Sequence, residues 1–168
     1  MLSEVMVMKA CLLLLAAVAV TLGCSHESTS VSGDDQILMP PAGIIMVGGA
    51  ADIPPSKLAL DILEVHLLGD LLFTDVRFSG CTPDREFALY GSKGFMESLP
   101  VQAGIFLWYD GPDEACSVYF TRTLVFDLSP LKEEYLKGYE EGPIRLRIVE
   151  PGSTAPYEPL PLYTWHSF

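Results

Sequence analysis

VQAGIFLWYDGPDEACSVYFTRTLVF, residues 101–126, is the stretch on which the fold depends. Val101, Ala103, Ile105 and Leu107 alternate with Phe106 and Trp108, so both faces of the first segment are apolar. A strand of that kind belongs in the middle of a sheet, covered on each side. Asp110-Gly111-Pro112-Asp113 comes next, a run of residues that favours a tight reversal. The chain then returns from Cys116 to Phe126, with Val118, Phe120, Leu124 and Phe126 on one face and Ser117, Thr121 and Thr123 on the other. Long strands separated by a turn point to an all-β core.

The flanking sequence repeats the pattern. Leu58–Leu68 is β-branched and aliphatic, and Gly69-Asp70 predicts a turn before Leu71–Phe78. In that strand Leu72, Thr74, Val76 and Phe78 share one face, opposite Asp75 and Arg77. Thr82-Pro83-Asp84 reads as a turn, Glu86–Tyr90 as a short strand, and Gly91–Pro100 as a loop or one helical turn. Residues 37–56 read as irregular, broken by Pro40-Pro41, Gly48-Gly49 and Pro54-Pro55, with a short edge strand at 44–47. Ser129-Pro130 opens a helix over about 130–137: Ser caps free N–H groups, Pro suits the first turn, and Glu133 and Glu134 suit the positive end of the dipole. Ile144, Leu146 and Ile148 alternate with Arg145 and Arg147 as a half-buried strand. Residues 150–168 form a Pro-rich tail in which Leu160–Trp165 adds a final strand. Six to eight short strands and one minor helix predict an antiparallel, immunoglobulin-like β-sandwich over 37–168, with a barrel as the alternative.

The chain has 168 residues, 49 % hydrophobic and 19 % charged, with 10 basic against 22 acidic side chains and a net charge of −12. That is too apolar for a disordered chain. It is too acidic for a nucleic-acid surface or for adhesion to anionic lipid by charge.

Ahead of the sandwich lies an apolar run, Ala10–Leu22, directly after Lys9. Its 13 residues would span roughly 20 Å as a helix, short of a ~30 Å hydrocarbon core, so it reads as a secretory signal peptide rather than a permanent span. Glu4 departs from the positive charge expected there, and a start at Met8 would remove the conflict. The run closes on Thr21-Leu22-Gly23-Cys24-Ser25. This resembles the lipobox of bacterial lipoproteins, in which small residues precede a Cys that receives a diacylglyceryl thioether. Thr21 departs from it, because Leu is the usual residue three places before the Cys. The plainer reading is an ordinary cleaved signal whose Cys24 is incidental. The resemblance implies a signal peptide at 1–23, a lipid-modified Cys24, and a polar tether over 24–36. Ser25 after the Cys implies the outer membrane of a Gram-negative envelope. Removing 1–23 takes away Glu4 and Lys9 together, so the charge stays at −12. Acyl chains, at about 0.8 kcal/mol per buried CH₂, would hold such an acidic protein without a basic patch.

Gly80-Cys81, Phe87-Ala88-Leu89, Cys116, Phe126-Asp127-Leu128-Ser129-Pro130-Leu131 and Ile144-Arg145-Leu146-Arg147 together resemble the β-sandwich domain of NigD-like secreted lipoproteins. The resemblance spans about the second half of the chain and implies no catalytic residues.

With Cys11 leaving in the apolar run and Cys24 acylated, Cys81 and Cys116 remain. Export favours a disulfide between them, contributing roughly 3–4 kcal/mol in the chain-entropy model. A reactive thiol pair is the functional alternative, though the spacing is unlike C-x-x-C. Glu64 and His66 share a strand face, and with His166 they could hold a metal. The Asp110, Asp113 and Glu114 loop could bind Ca²⁺ through oxygens. Surface histidines and a solvated turn explain the same residues more simply. Ser129-x-x-Lys132 matches the S-x-x-K of penicillin-recognising enzymes but lacks its companion motifs. Gly91-Ser92-Lys93-Gly94 lacks the lead of a phosphate loop. Trp108, Tyr109, Tyr157, Tyr163, Trp165 and Phe168 are the candidate binding residues, either as an aromatic face for a protein or glycan or as closure of the sandwich end. The expectation is an envelope lipoprotein serving as a non-catalytic binding or accessory module, anchored by lipid, without cofactor or nucleic-acid partner. A metal-dependent or hydrolytic enzyme and a purely structural component are the rivals.

Overall fold

The computed structural model describes residues 41–56, 60–110, 116 and 118–165. Along them run β1 (Ala42–Gly43), β2 (Ile45–Val47), β3 (Leu60–Leu68), β4 (Leu71–Gly80), β5 (Glu86–Met96), β6 (Val101–Asp110), β7 (Val118–Asp127), α1 (Ser129–Tyr135), β8 (Ile144–Val149) and β9 (Leu162–Tyr163). Two sheets result, ordered β1-β7-β4-β3 and β2-β5-β6-β8-β9.

The doubly apolar segment lies at the centre of the second sheet as β6, between β5 and β8. Its inward residues Ala103, Ile105, Leu107 and Tyr109 are buried together with Ile144, Leu146 and Ile148 of β8. Leu72, Val76 and Phe78 of β4 and Leu124 and Phe126 of β7 face them from the first sheet. Phe78 meets Tyr109 at 5.5 Å and Phe87 at 5.2 Å between ring centroids, so aromatic packing closes one end of the sandwich. The alternation read at 72–78 is the observed one, with Thr74 buried beside its apolar neighbours.

The pairings β3–β4, β4–β7, β5–β6 and β8–β9 are antiparallel, and short connections at 69–70 and 97–100 join β3 to β4 and β5 to β6. Three others are parallel: β1 with β7, β2 with β5, and β6 with β8. Both sheets are therefore mixed. The chain leaves β6, crosses to the first sheet as β7, and returns through α1, so β8 starts at the same end as β6. At the amino-terminal side, the chain passes from one sheet to the other around buried Ile44, whose N–H donates to Asp127 O at 2.9 Å.

Two local expectations are corrected. Gly91–Met96 is strand, continuing β5, with a register shift between Gly91 and Phe95 that absorbs its polar and glycine residues. Gly91 lies under β2, where an added Cβ would meet Met46 Sδ at 2.8 Å and Ile44 Cδ1 at 2.9 Å. The helix begins at Ser129 and ends at Tyr135; Leu128 holds the N-cap position without a side-chain cap bond, and Asp127, one residue earlier, takes up the N–H of Ser129. Asp127 Oδ1 accepts from Ser129 N at 2.9 Å and from Ser129 Oγ at 2.7 Å. Cys81 and Cys116 sit in disulfide position, their Cα atoms 5.1 Å apart, tying the end of β4 to the chain ahead of β7.

Candidate functional site

The outer face of β6 carries Phe106 and Trp108, both half-buried. Tyr90 on β5 stands edge-on to Trp108, 6.4 Å between centroids. The segment 50–56 covers this face, and Ser56 Oγ donates to Tyr109 O at 2.9 Å. Beyond it the turn that follows β8 approaches from the other side. Between them lies a cavity of about 210 Å³, walled by Ile53, Pro54, Phe106, Trp108, Val149 and Glu150 among others. Drug-sized ligands need cavities of about 300–1,000 Å³, so this one suits a single small group.

Its polar wall is uneven. Glu150 Oε1 accepts from Ile62 N at 2.8 Å, which ties edge strand β3 to the end of β8. Oε2 of the same carboxylate makes no hydrogen bond among the described residues. Ser153 Oγ donates to Ala155 O at 3.0 Å, closing its own turn. Trp108 Nε1 is shut off from solvent and has no hydrogen-bond partner among the described residues. Glu150 was not singled out by sequence reading. A Glu ahead of a Pro-Gly turn carries no signal of its own, and only the return of β8 beside β6 brings it to Trp108.

The other candidate aromatics part company. Tyr109 and Tyr163 are 1 % and 0 % exposed and belong to the core, so neither forms an open binding face. Tyr157 and Trp165 are partly buried against the same core. Trp165 stands edge-on to Tyr135 at 5.6 Å, and Tyr135 stacks on Tyr139 at 4.9 Å, so the tail closes the sandwich over α1. Phe95 joins this cluster at 5.4 Å from Tyr135, a contact that the loop reading of 91–100 concealed.

Glu64 and His66 are both exposed on β3, and His66 stacks on Phe73 of β4 at 4.7 Å. Among the described residues no three His, Cys, Asp or Glu side chains gather to hold a metal ion. Asp110 ends β6. Cys24, Asp113, Glu114, His166 and Phe168 lie outside the described residues. Ser129 and Lys132 are engaged elsewhere: Ser129 Oγ donates to Asp127, while Lys132 Nζ pairs with Asp70, which also accepts from Tyr163 OH at 2.6 Å. With Nζ of Lys132 turned to Asp70 and Oγ of Ser129 to Asp127, the two side chains do not form a serine–lysine pair. Ser92, Lys93 and Gly94 lie in β5.

No family model matches the chain, and no curated protein matches it. A similar solved structure is that of a Bacteroides fragilis protein described as a "putative lipoprotein", at 11 % identity and a TM-score of 0.49, covering 76 % of this chain and 71 % of that one. At that identity and score the likeness carries no argument about function.

Proposed function

We propose that this protein is an exported lipoprotein of the bacterial cell envelope, lipid-anchored through Cys24, whose β-sandwich is a non-catalytic binding module. The supporting observation is the pairing of cysteines. Cys81 and Cys116 lie together in disulfide position, which suits an oxidising compartment. Cys11 sits within the apolar run, so Cys24 is left as the thiol for an acyl group, directly after Leu22-Gly23. The binding role is supported by the cavity on the outer face of β6 and by the engagement of Ser129 and Lys132 with other partners. Attachment to the outer membrane rests on Ser25 following the Cys.

Intact mass of protein extracted from membranes tests the address. The expected species starts at Cys24, carries acyl chains, and lacks the two hydrogens of a Cys81–Cys116 disulfide. A full-length chain with free thiols in the cell interior overturns the proposal.

A further inference from the structure

We propose that the cavity between residues 50–56, β6 and the turn after β8 binds an ammonium group on a short alkyl chain. The inference rests on the binding-module reading and supplies the chemistry of its ligand. Three observations favour a cation. The walls include two aromatic side chains, Phe106 and Trp108, whose ring faces attract positive charge. Glu150 lines the same space, with one oxygen fixed by Ile62 N–H and the other without a hydrogen bond among the described residues. The nearby hydroxyl hydrogens are already committed, Ser56 to Tyr109 O and Ser153 to Ala155 O, while Trp108 Nε1 is closed off. The cavity thus has a carboxylate and two aromatic residues in its lining, and its side-chain donors are engaged or closed off. An anion would meet like charge there, in a chain that is already at −12. A group rich in donors fits, and at about 210 Å³ the space takes an alkylammonium and little more.

Two sources share this chemistry: a free amine, and the lysine side chain of a partner protein. Mature protein in neutral detergent would be titrated with n-butylammonium and with the peptide Gly-Lys-Gly, following the two indole N–H resonances by NMR. The expected result is a saturable shift of Trp108 with Trp165 unmoved, and loss of that shift when the lysine of the peptide is Nε-acetylated. Tighter binding of butylammonium assigns the site to free amines, and tighter binding of the peptide assigns it to a protein partner.

Glu150→Gln keeps an oxygen for Ile62 N–H and removes only the charge, so the fold survives while binding falls by about tenfold. Unchanged thermal melting verifies the fold of that variant. Equal binding of the acetylated peptide, full affinity in Glu150→Gln, or no saturable shift at all overturns the proposal. Lys57 adjoins Ser56 in the chain, so the titration is repeated on Lys57→Gln. Binding seen only in that variant makes the chain's own lysine the occupant and overturns the external ligand. None of these outcomes alters the intact mass, so failure here is distinct from failure of the lipid anchor.

Discussion

Asp70 occupies a turn, yet it holds three elements together. Its carboxylate pairs with Lys132 of α1 and accepts from Tyr163 of β9, while its backbone O accepts from Leu128 N at 2.8 Å. Burial opposes its charge, but the hydrogen bonds from Lys132 and Tyr163 outweigh it, so the carboxyl is held below its ordinary value of 3.8. Because the folded carboxyl is the stronger acid, its stabilisation is complete above the unfolded value. That stabilisation drains away as the pH falls through the lower folded value. Asp70→Asn is therefore expected to cost about 1–3 kcal/mol at neutral pH, with the gap to wild type closing in strong acid. Urea melts at pH 7 and pH 2.5 check this, and an equal gap at both would refute the role of the charge. Tyr163 shows the opposite shift from the same contact. Burial, then its hydrogen bond to Asp70, pushes its phenol far above the ordinary value, so it stays protonated as the donor. Sequence alone leaves Tyr163 either as a binding ring or as closure of the sandwich end; burial decides for the second, and its polar partner lies 93 residues away.

Among the elements, β2 and β5 show how a short parallel strand is admitted. Met46 is paired with Gly91, and the side chains of Ile44 and Met46 fill the place of the missing Cβ. Gly91→Ala is expected to destabilise the domain by about 1–3 kcal/mol, because Met46 and Ile44 must shift within a packed edge. Thermal melts measure the loss, and amide exchange at Ile45–Val47 should quicken with it. A variant that melts like wild type would mean that the edge has room to spare. Element identity was largely legible from pattern: β4, β7 and β8 fall where apolar and polar residues interleave, and β3 and β6 where aliphatic or doubly apolar runs lie between turn signals. The extension of β5 through Gly91–Met96 was not, because glycine and serine carry no strand signal and owe their conformation to β6 alongside. The final strand expected within Leu160–Trp165 is β9 at Leu162–Tyr163. It is structural, since Leu146 N donates to Pro161 O at 2.9 Å and Tyr163 lies in the core.

For the molecule as a whole, the disulfide ties the end of β4 to the chain ahead of β7. Cys81 and Cys116 are 35 residues apart, and joining them limits the unfolded chain. Replacing both by Ala is expected to cost about 3–4 kcal/mol, read as a lower denaturation midpoint that reductant reproduces in the wild type. If reductant leaves the wild-type midpoint unchanged, the pair is not a staple in solution.

The sequence alone determined the fold class, because strand alternation and turn chemistry are local properties that no tertiary contact needs to supply. It also made Cys81 and Cys116 the natural partners. Tertiary structure decided the direction of β8 beside β6, since a crossover through the opposite sheet leaves no local mark. It decided which aromatic rings are core and which line a cavity, because burial depends on what lies across from a residue. It also brought Glu150 to Phe106 and Trp108, because those side chains meet only once both sheets have closed.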